Sequence, residues 1–121
     1  MHFVAALCRI QLGGNSMTKA ENLLIVAAEE CAEISQAISK AIRFGLSNHN
    51  PLETCATSNE NNIWVEFYQL QAVFEMLVER GIITKPSDND VANIIANKKS
   101  KVAKYEALSE ELGHVTKEAE L

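Results

Sequence analysis

Apolar residues recur at intervals of three and four along three stretches of the chain, and this spacing predicts three α-helices. The stretches run from about 18 to 44, from about 59 to 80 and from about 87 to 112. With 5 Gly and 2 Pro among 121 residues, few helix-breaking residues interrupt them. The sequence therefore predicts an all-α fold, a helical bundle of three main helices.

Polar residues at the predicted ends support these bounds. Thr18 followed by Glu21 forms the pattern of a capping box, and Gly45 stands where a left-handed C-cap is expected. Ser87 followed by Asp90 opens the third helix in the same way. Residues 46–58, between the first two helices, are polar and rich in turn-forming residues, and such a connection is long enough to be a functional loop.

Each predicted helix has an apolar stripe that we expect to face the core. The stripes comprise Leu23, Ala27, Ile34, Ile38 and Ile42 in the first helix, Ile63, Phe67, Leu70, Phe74 and Leu77 in the second, and Val91, Ile94, Ile95, Val102 and Leu108 in the third. Three helices with so much apolar surface leave a face uncovered, so we expect the bundle to be completed by self-association.

Three carboxylates, Glu29, Glu30 and Glu33, interrupt the apolar run of the first helix. A carboxylate is rarely buried without a partner, because removing its water costs more than apolar neighbours return. Hard divalent cations take carboxylate oxygens as ligands. On the second helix Glu66 and Gln69 lie one turn apart, and facing helices that both offer oxygen ligands can build a metal site. The pattern favours Mg²⁺, with Mn²⁺ as a substitute.

Basic residues lie where they would meet a phosphorylated substrate. Lys40 and Arg43 continue the acidic face of the first helix, roughly 10 Å downstream at 1.5 Å per residue. Lys98, Lys101 and Tyr105 share one face of the third helix. The alternative for both sets is an exposed helix face with salt bridges, which is the usual meaning of mixed charges.

Composition and spacing exclude several other classes. The net charge of −5, from 11 Lys and Arg against 16 Asp and Glu, argues against nucleic-acid binding. Three cysteines without a CxxC pair predict a reduced, cytoplasmic chain, and no segment approaches the ~20 apolar residues of a membrane span. A di-iron bundle needs a Glu-x-x-His motif on each of two helices, and the sequence has this spacing once, from Glu111 to His114 at the end of the third predicted helix; no zinc or P-loop pattern occurs.

A breaker cluster, Gly13-Gly14-Asn15-Ser16, precedes Met17 and suggests a boundary. We expect residues 1–16 to be an N-terminal extension or a short arm that packs on the bundle or on a partner subunit. Residues 17–121 are expected to form one domain, since this length suits a single core.

The acidic residues also carry a resemblance to a known family. Glu29-Glu30-Cys31-Ala32-Glu33 matches the Glu-Glu-x-x-Glu signature of the all-α nucleoside triphosphate pyrophosphohydrolases, the MazG-like and dimeric dUTPase-like group, and residues 37–45 resemble its continuation. Glu66-Phe67-Tyr68-Gln69 is similar to the second half, Glu-x-x-Asp, with Gln69 in place of Asp. The resemblance covers about residues 18–113.

The resemblance implies a MazG-like fold and Mg²⁺-dependent hydrolysis of a (deoxy)nucleoside triphosphate to the monophosphate and pyrophosphate, by a homodimer or homotetramer. In that reaction Glu30, Glu33 and Glu66 are expected to hold the metal. Gln69 is a weaker ligand, because its amide oxygen is neutral. Glu29, or Glu30 in its place, is expected to orient or deprotonate the attacking water.

The remaining expectations concern the rest of the substrate. Lys40, Arg43, Lys98, Lys101 and Tyr105 are expected to contact the phosphates. Trp64, Phe67 or Tyr68 would stack on the base, although core packing is the commoner role of such side chains. Two alternatives remain open: a non-catalytic helical interaction module, and a nucleotide-binding sensor with a degenerate site.

Overall fold

The computed structural model describes residues 16–54 and 57–116. It contains three helices, α1 (Lys19–Phe44), α2 (Asn59–Glu79) and α3 (Asp88–Glu111), and no strand occurs in these ranges. The predicted all-α fold with three main helices is confirmed. Apart from Ser16, the expected arm of residues 1–16 lies outside the described residues. The chain divides into two compact units, and the division falls between Thr84 and Lys85.

The predicted capping box of α1 is present, whereas the left-handed C-cap expected at Gly45 is not formed. Thr18 Oγ1 accepts a hydrogen bond from the Glu21 N–H at 3.1 Å, and Glu21 Oε2 accepts one from the Thr18 N–H at 3.0 Å. At the other end the N–H of Gly45 donates to the Ala41 carbonyl oxygen at 2.8 Å. Gly45 has φ +92° and ψ 151°, and a Cβ there would stand 3.2 Å from Asn48 Nδ2. Glycine suits this positive φ, and with this ψ the backbone at Gly45 is extended rather than left-handed helical.

The first unit is an antiparallel helical hairpin made by α1 and α2. Leu23 and Ala27, near the start of α1, form the core with Val73 and Leu77, near the end of α2. Partly buried residues surround this cluster: Leu24, Val26, Leu70, Ile82 and Ile83. Burial of these side chains removes apolar surface from water and holds the two helices together.

The inward face of α1 differs from the predicted stripe. Ile38 and Ile42 are exposed, at 43% and 81% of their full accessibility, whereas Ala37 and Ala41 are buried. Expecting both isoleucines in the core was wrong. Alanine at these positions lets a neighbouring backbone approach closely, since the distance between packed helices is set by the side chains at the contact.

The inward face of α2 is also rotated relative to the prediction. Phe67 and Phe74 are about half exposed, and Val73 is buried instead. The predicted burial of the two phenylalanines was wrong, whereas that of Leu77 is confirmed, with only 1% of its surface exposed. Residues spaced four, three and four apart now define the inward stripe: Glu66, Leu70, Val73 and Leu77. A carboxylate therefore occupies a position in the packing stripe.

The connection between the helices is tied to the start of α2. Asn59 is buried, and its Nδ2 donates to the Gly45 carbonyl oxygen at 2.9 Å. Its own N–H donates to the Asn48 carbonyl oxygen at 2.8 Å, and the Glu60 N–H donates to the Leu46 carbonyl oxygen at 2.9 Å. These bonds fix the first part of the connection against α2 and satisfy backbone groups at the helix end.

The second unit contains α3. Ser87 Oγ accepts a hydrogen bond from the Asp90 N–H at 3.1 Å, so the predicted cap is present. The predicted burial of the α3 stripe was wrong. No residue of α3 is buried, Val91 is partly exposed, and the other four apolar members of the stripe are exposed: Ile94, Ile95, Val102 and Leu108. The helical spacing places these residues on one stripe, and this stripe is exposed in the described residues.

None of the helices in the described part of the chain combines the length and the hydropathy needed to cross a lipid bilayer.

Candidate functional site

A groove of about 300 Å³ lies in the first unit and is lined by both helices and by the connection. We call it the acidic groove. Its lining residues are Glu33, Gln36, Ala37 and Lys40 from α1, Glu53 and Thr57 from the connection, and Asn59, Asn62 and Glu66 from α2. The hairpin thus brings the acidic face of α1 next to Glu66 of α2, although more than 30 residues separate them in sequence.

Two carboxylate oxygens are buried without a partner, one on Glu66, which lines the groove, and one on Glu30, which does not line it. Among the described residues, neither Glu30 Oε2 nor Glu66 Oε2 has a hydrogen-bond partner. A buried polar atom that makes no hydrogen bond carries the full cost of losing its water, and most such atoms in proteins are satisfied. The two oxygens, one from each helix, are therefore well suited to a donor or a cation.

The electrostatic surroundings of Glu66 also favour a positively charged partner. Burial raises the pKa of the Glu66 carboxyl above its ordinary value of 4.5, and the negative charges of Glu33 and Glu30 raise it further. Both effects disfavour the ionised carboxylate. Glu33 and Glu30 are thus each close enough to Glu66 to repel its negative charge, and a positive charge there would relieve that repulsion.

The carboxylates do not form a finished coordination shell. Within the described residues, no three His, Cys, Asp or Glu side chains stand where they would hold a metal ion together. The donor set nevertheless suits a hard cation, because carboxylate oxygens are its preferred ligands.

Two other residues predicted for the metal site or its water lie elsewhere. Glu29 and Gln69 are both exposed, and neither lines the acidic groove. Their roles as water-activating group and weaker metal ligand stay predictions.

The predicted phosphate contacts of α1 adjoin the groove. Lys40 Nζ lies 2.9 Å from Glu53 Oε1, and both side chains are about 40% exposed. Lys40 also lines a neighbouring concavity of about 400 Å³, to which Arg43 contributes its guanidinium group. The other residues of this basic concavity are Ser35, Gln36, Ser39, Phe44 and Asn50.

Lys98, Lys101 and Tyr105 lie together on α3, in the second unit. They line a concavity of about 380 Å³, and Val102 and Glu106 are among its other lining residues. The predicted grouping of two lysines and a tyrosine on one helix face is therefore present, and their contact with phosphate stays a prediction.

Three aromatic residues of α2, Trp64, Phe67 and Tyr68, form a cluster at the surface instead of packing in the core. The rings of Trp64 and Tyr68 stack, with centroids 5.9 Å apart and an angle of 22° between their planes. Phe67 stands edge-on to both, with centroids 6.0 Å from Trp64 and 5.3 Å from Tyr68. Trp64 and Tyr68 stack on each other and are both exposed, and their contact with a base stays a prediction.

Glu53, Thr57 and Asn59 are groove residues that sequence reasoning did not single out. The polar connection 46–58 was the available signal, but it does not tell which of its side chains turn toward the helices. Thr57 Oγ1 donates to Asn62 Oδ1 at 2.8 Å, which fixes the amide of Asn62 at the groove.

Comparison of the chain with protein-family models, with curated proteins and with solved structures finds no match. The likeness to the nucleoside triphosphate pyrophosphohydrolases accordingly depends on the residues quoted above.

Proposed function

We propose that this protein is a nucleoside triphosphate pyrophosphohydrolase that converts a (deoxy)nucleoside triphosphate to the monophosphate and pyrophosphate in the presence of Mg²⁺. The spacing of Glu29, Glu30, Glu33 and Glu66 supports the proposal through its resemblance to that enzyme class. The observation that carries it is the pair of buried, unpartnered carboxylate oxygens on Glu30 and Glu66. A plain surface helix would leave these oxygens in water.

In this proposal Glu30, Glu33 and Glu66 hold Mg²⁺ or Mn²⁺, with Gln69 as a weaker ligand. Bound there, the metal would polarise a phosphoryl group and lower the pKa of its water. Glu29, or Glu30 in its place, orients the attacking water and accepts its proton, as a general base must do within hydrogen-bond distance. Of the two, Glu30 has the buried, unpartnered oxygen.

The basic residues stabilise the negative charge that the phosphates accumulate. Lys40 and Arg43 line the concavity beside the acidic groove and suit the part of the polyphosphate that faces away from the carboxylates. Lys98, Lys101 and Tyr105 are further proposed phosphate contacts, and Trp64 and Tyr68 are the proposed surface for the base. A (deoxy)nucleoside triphosphate is thus the proposed partner of the site.

We also propose that the chain works as a homodimer or homotetramer in the cytoplasm. The exposed apolar residues of α1, α2 and α3 support the association, since large exposed apolar patches mark interaction surfaces. Cys31 is a free, exposed thiol, which suits a reducing compartment.

The test is a product assay. Purified protein is incubated with each nucleoside and deoxynucleoside triphosphate and Mg²⁺, and pyrophosphate and monophosphate are quantified. Glu33→Gln and Glu66→Gln are expected to remove the activity, whereas Glu60→Gln is the matched control, an exposed carboxylate outside the groove. Pyrophosphate release that is unchanged in Glu33→Gln would remove the assigned site, and wild-type protein that releases none would end the hydrolase proposal.

A second candidate is the nucleotide-binding sensor. The exposed position of the neutral Gln69 and the lack of a finished three-ligand cluster in the described residues favour it. A sensor would bind a nucleoside triphosphate without releasing pyrophosphate, so equilibrium binding measured beside the product assay separates the two functions.

A further inference from the structure

The ion pair between Lys40 and Glu53 joins α1 to the connection at the acidic groove. Among the described residues that line the groove, Lys40 provides the positive charge and Glu33, Glu53 and Glu66 the negative charges. Glu53 Oε1 accepts a hydrogen bond from Lys40 Nζ at 2.9 Å. The lysine that suits a phosphate is therefore already engaged by a carboxylate of the same chain.

Glu53 is held in place by its own turn as well as by Lys40. The Glu53 N–H donates to the Asn50 carbonyl oxygen at 3.0 Å, and the Leu52 N–H donates to Asn50 Oδ1 at 3.0 Å. This side-chain-to-backbone bond is typical of an Asx turn, which fixes a short loop locally. The turn thus holds the backbone at Glu53, and the Glu53 carboxylate is held by Lys40.

We propose that Glu53 is an internal competitor for polyphosphate: its carboxylate occupies Lys40, and a phosphate group must displace it to reach the groove. This inference rests on the proposed function, because it takes the incoming ligand to be the polyphosphate of that substrate. It adds a regulating residue that neither the acidic signature nor the basic face contains.

The energetics suit an exchange of partners. Lys40 and Glu53 are 42% and 39% exposed, and ion pairs in such surroundings are weak because water and salt screen them. A phosphate group presents several oxygens and more charge than one carboxylate oxygen, so it forms the stronger charge-assisted bonds with the ammonium group. Arg43, on the basic concavity that Lys40 also lines, adds a second cation for the same ligand.

The experiment is calorimetric titration of the full chain with pyrophosphate at saturating Mg²⁺ and low salt. Glu53→Gln is expected to bind pyrophosphate about two- to fivefold more tightly than wild type, the range for releasing one exposed ion pair. Glu60→Gln removes the same charge from the start of α2 without touching the groove and is expected to bind as wild type does. Melting curves of each variant establish that it is folded.

A double-mutant cycle identifies the partner. Lys40→Gln is expected to weaken pyrophosphate binding, and adding Glu53→Gln to it should give no further gain, because the competitor acts through Lys40. The inference is overturned if Glu53→Gln binds no better than Glu60→Gln, if its gain persists in the Lys40→Gln background, or if wild type and Glu53→Gln both fail to bind at millimolar pyrophosphate. Pyrophosphate binding with this pattern but without triphosphate hydrolysis would remove the proposed function alone.

Discussion

Glu66 stands where an apolar side chain would ordinarily pack. It is in register with Leu70, Val73 and Leu77 on the inward stripe of α2, yet it carries a carboxylate whose Oε2 is buried without a partner. Its raised pKa means that the folded chain binds the Glu66 proton more tightly than the unfolded chain does. Ionisation of this residue therefore reduces stability, which is typical of positions kept for binding rather than for packing.

We expect Glu66→Gln to stabilise the protein at neutral pH in the presence of a chelator. The stability linked to the Glu66 proton is fully present below pH 4.5 and is lost as the pH rises through the raised pKa. Glutamine cannot ionise, so the melting temperature of the variant should exceed that of wild type at pH 7, and the difference should vanish below pH 4.5. Thermal melts across this pH range measure it.

Glu60→Gln on the same helix is the control, because Glu60 is exposed and lies outside the groove. Mg²⁺ should then raise the melting temperature of wild type more than that of Glu66→Gln, since a ligand stabilises the state that binds it. A Glu66→Gln variant less stable than wild type at pH 7 in chelator would show that the carboxylate supports the fold instead.

Gln69→Asp is expected to strengthen Mg²⁺ binding. An aspartate restores the anionic oxygen of the Glu-x-x-Asp pattern, and cation affinity rises with the number of charged ligands, here by roughly tenfold. The measurement is the Mg²⁺ concentration that gives half of the rise in melting temperature.

Gln71→Asp adds the same charge at another exposed position of α2 and should leave that concentration nearly unchanged. If both aspartate variants respond alike, Gln69 is not a metal ligand.

Among single residues, Glu30, Glu33 and Glu66 could be picked out from the sequence, because carboxylates that interrupt an apolar run call for a partner. Their role as metal ligands stays a prediction. Glu53 and Asn59 could not be chosen in advance. Their contacts depend on how the polar connection folds back, which the hydrogen bonds of Asn59 to Gly45 and Asn48 determine.

Among the helices, the N-terminal caps of α1 and α3 were predictable, and the inward faces were predicted only in part. Capping by Thr18 and Ser87 is local chemistry between residues three apart, so the sequence contains it in full. The choice between Ile38 and Ala37 for the helix interface is not local. It depends on how closely the helices pack, and the more hydrophobic residue is not the one that the close contact admits.

The packing of α1 on α2 depends on Leu77, the most deeply buried member of the core. We expect Leu77→Ala to lower the free energy of unfolding by about 2–5 kcal/mol, because it removes buried apolar contacts and leaves a cavity. Urea denaturation followed by circular dichroism measures the change.

Leu52→Ala is the matched control, since Leu52 is 90% exposed in the connection and its truncation should cost less than about 0.5 kcal/mol. Equal losses from the two truncations would contradict the core assigned to the hairpin.

At the scale of the whole molecule, the uncovered apolar surface is the main feature. No residue of α3 is buried, and Ile94, Ile95 and Val102 are all about half exposed or more. An amphipathic helix draws most of its stability from burying its apolar face. Association of subunits would supply that burial.

We expect the wild-type protein to sediment as a multiple of its 13.3 kDa chain mass, and Ile95→Asp to sediment at a lower mass. The added carboxylate would have to be desolvated at an apolar interface, which is costly. Sedimentation equilibrium measures both masses. Asn93→Asp adds the same charge two residues away and should retain the wild-type mass; a wild-type mass of one chain would exclude the oligomer.

The stacked aromatic pair gives the molecule its own optical probe. Trp64 is the one tryptophan of the sequence, it is about half exposed, and it lies on α2 two residues before Glu66. Tryptophan emission from this protein therefore has a single origin of known position, in the exposed aromatic cluster of α2. Fluorescence titrations can follow events at that surface without a dye, and the emission needs no deconvolution among several indoles.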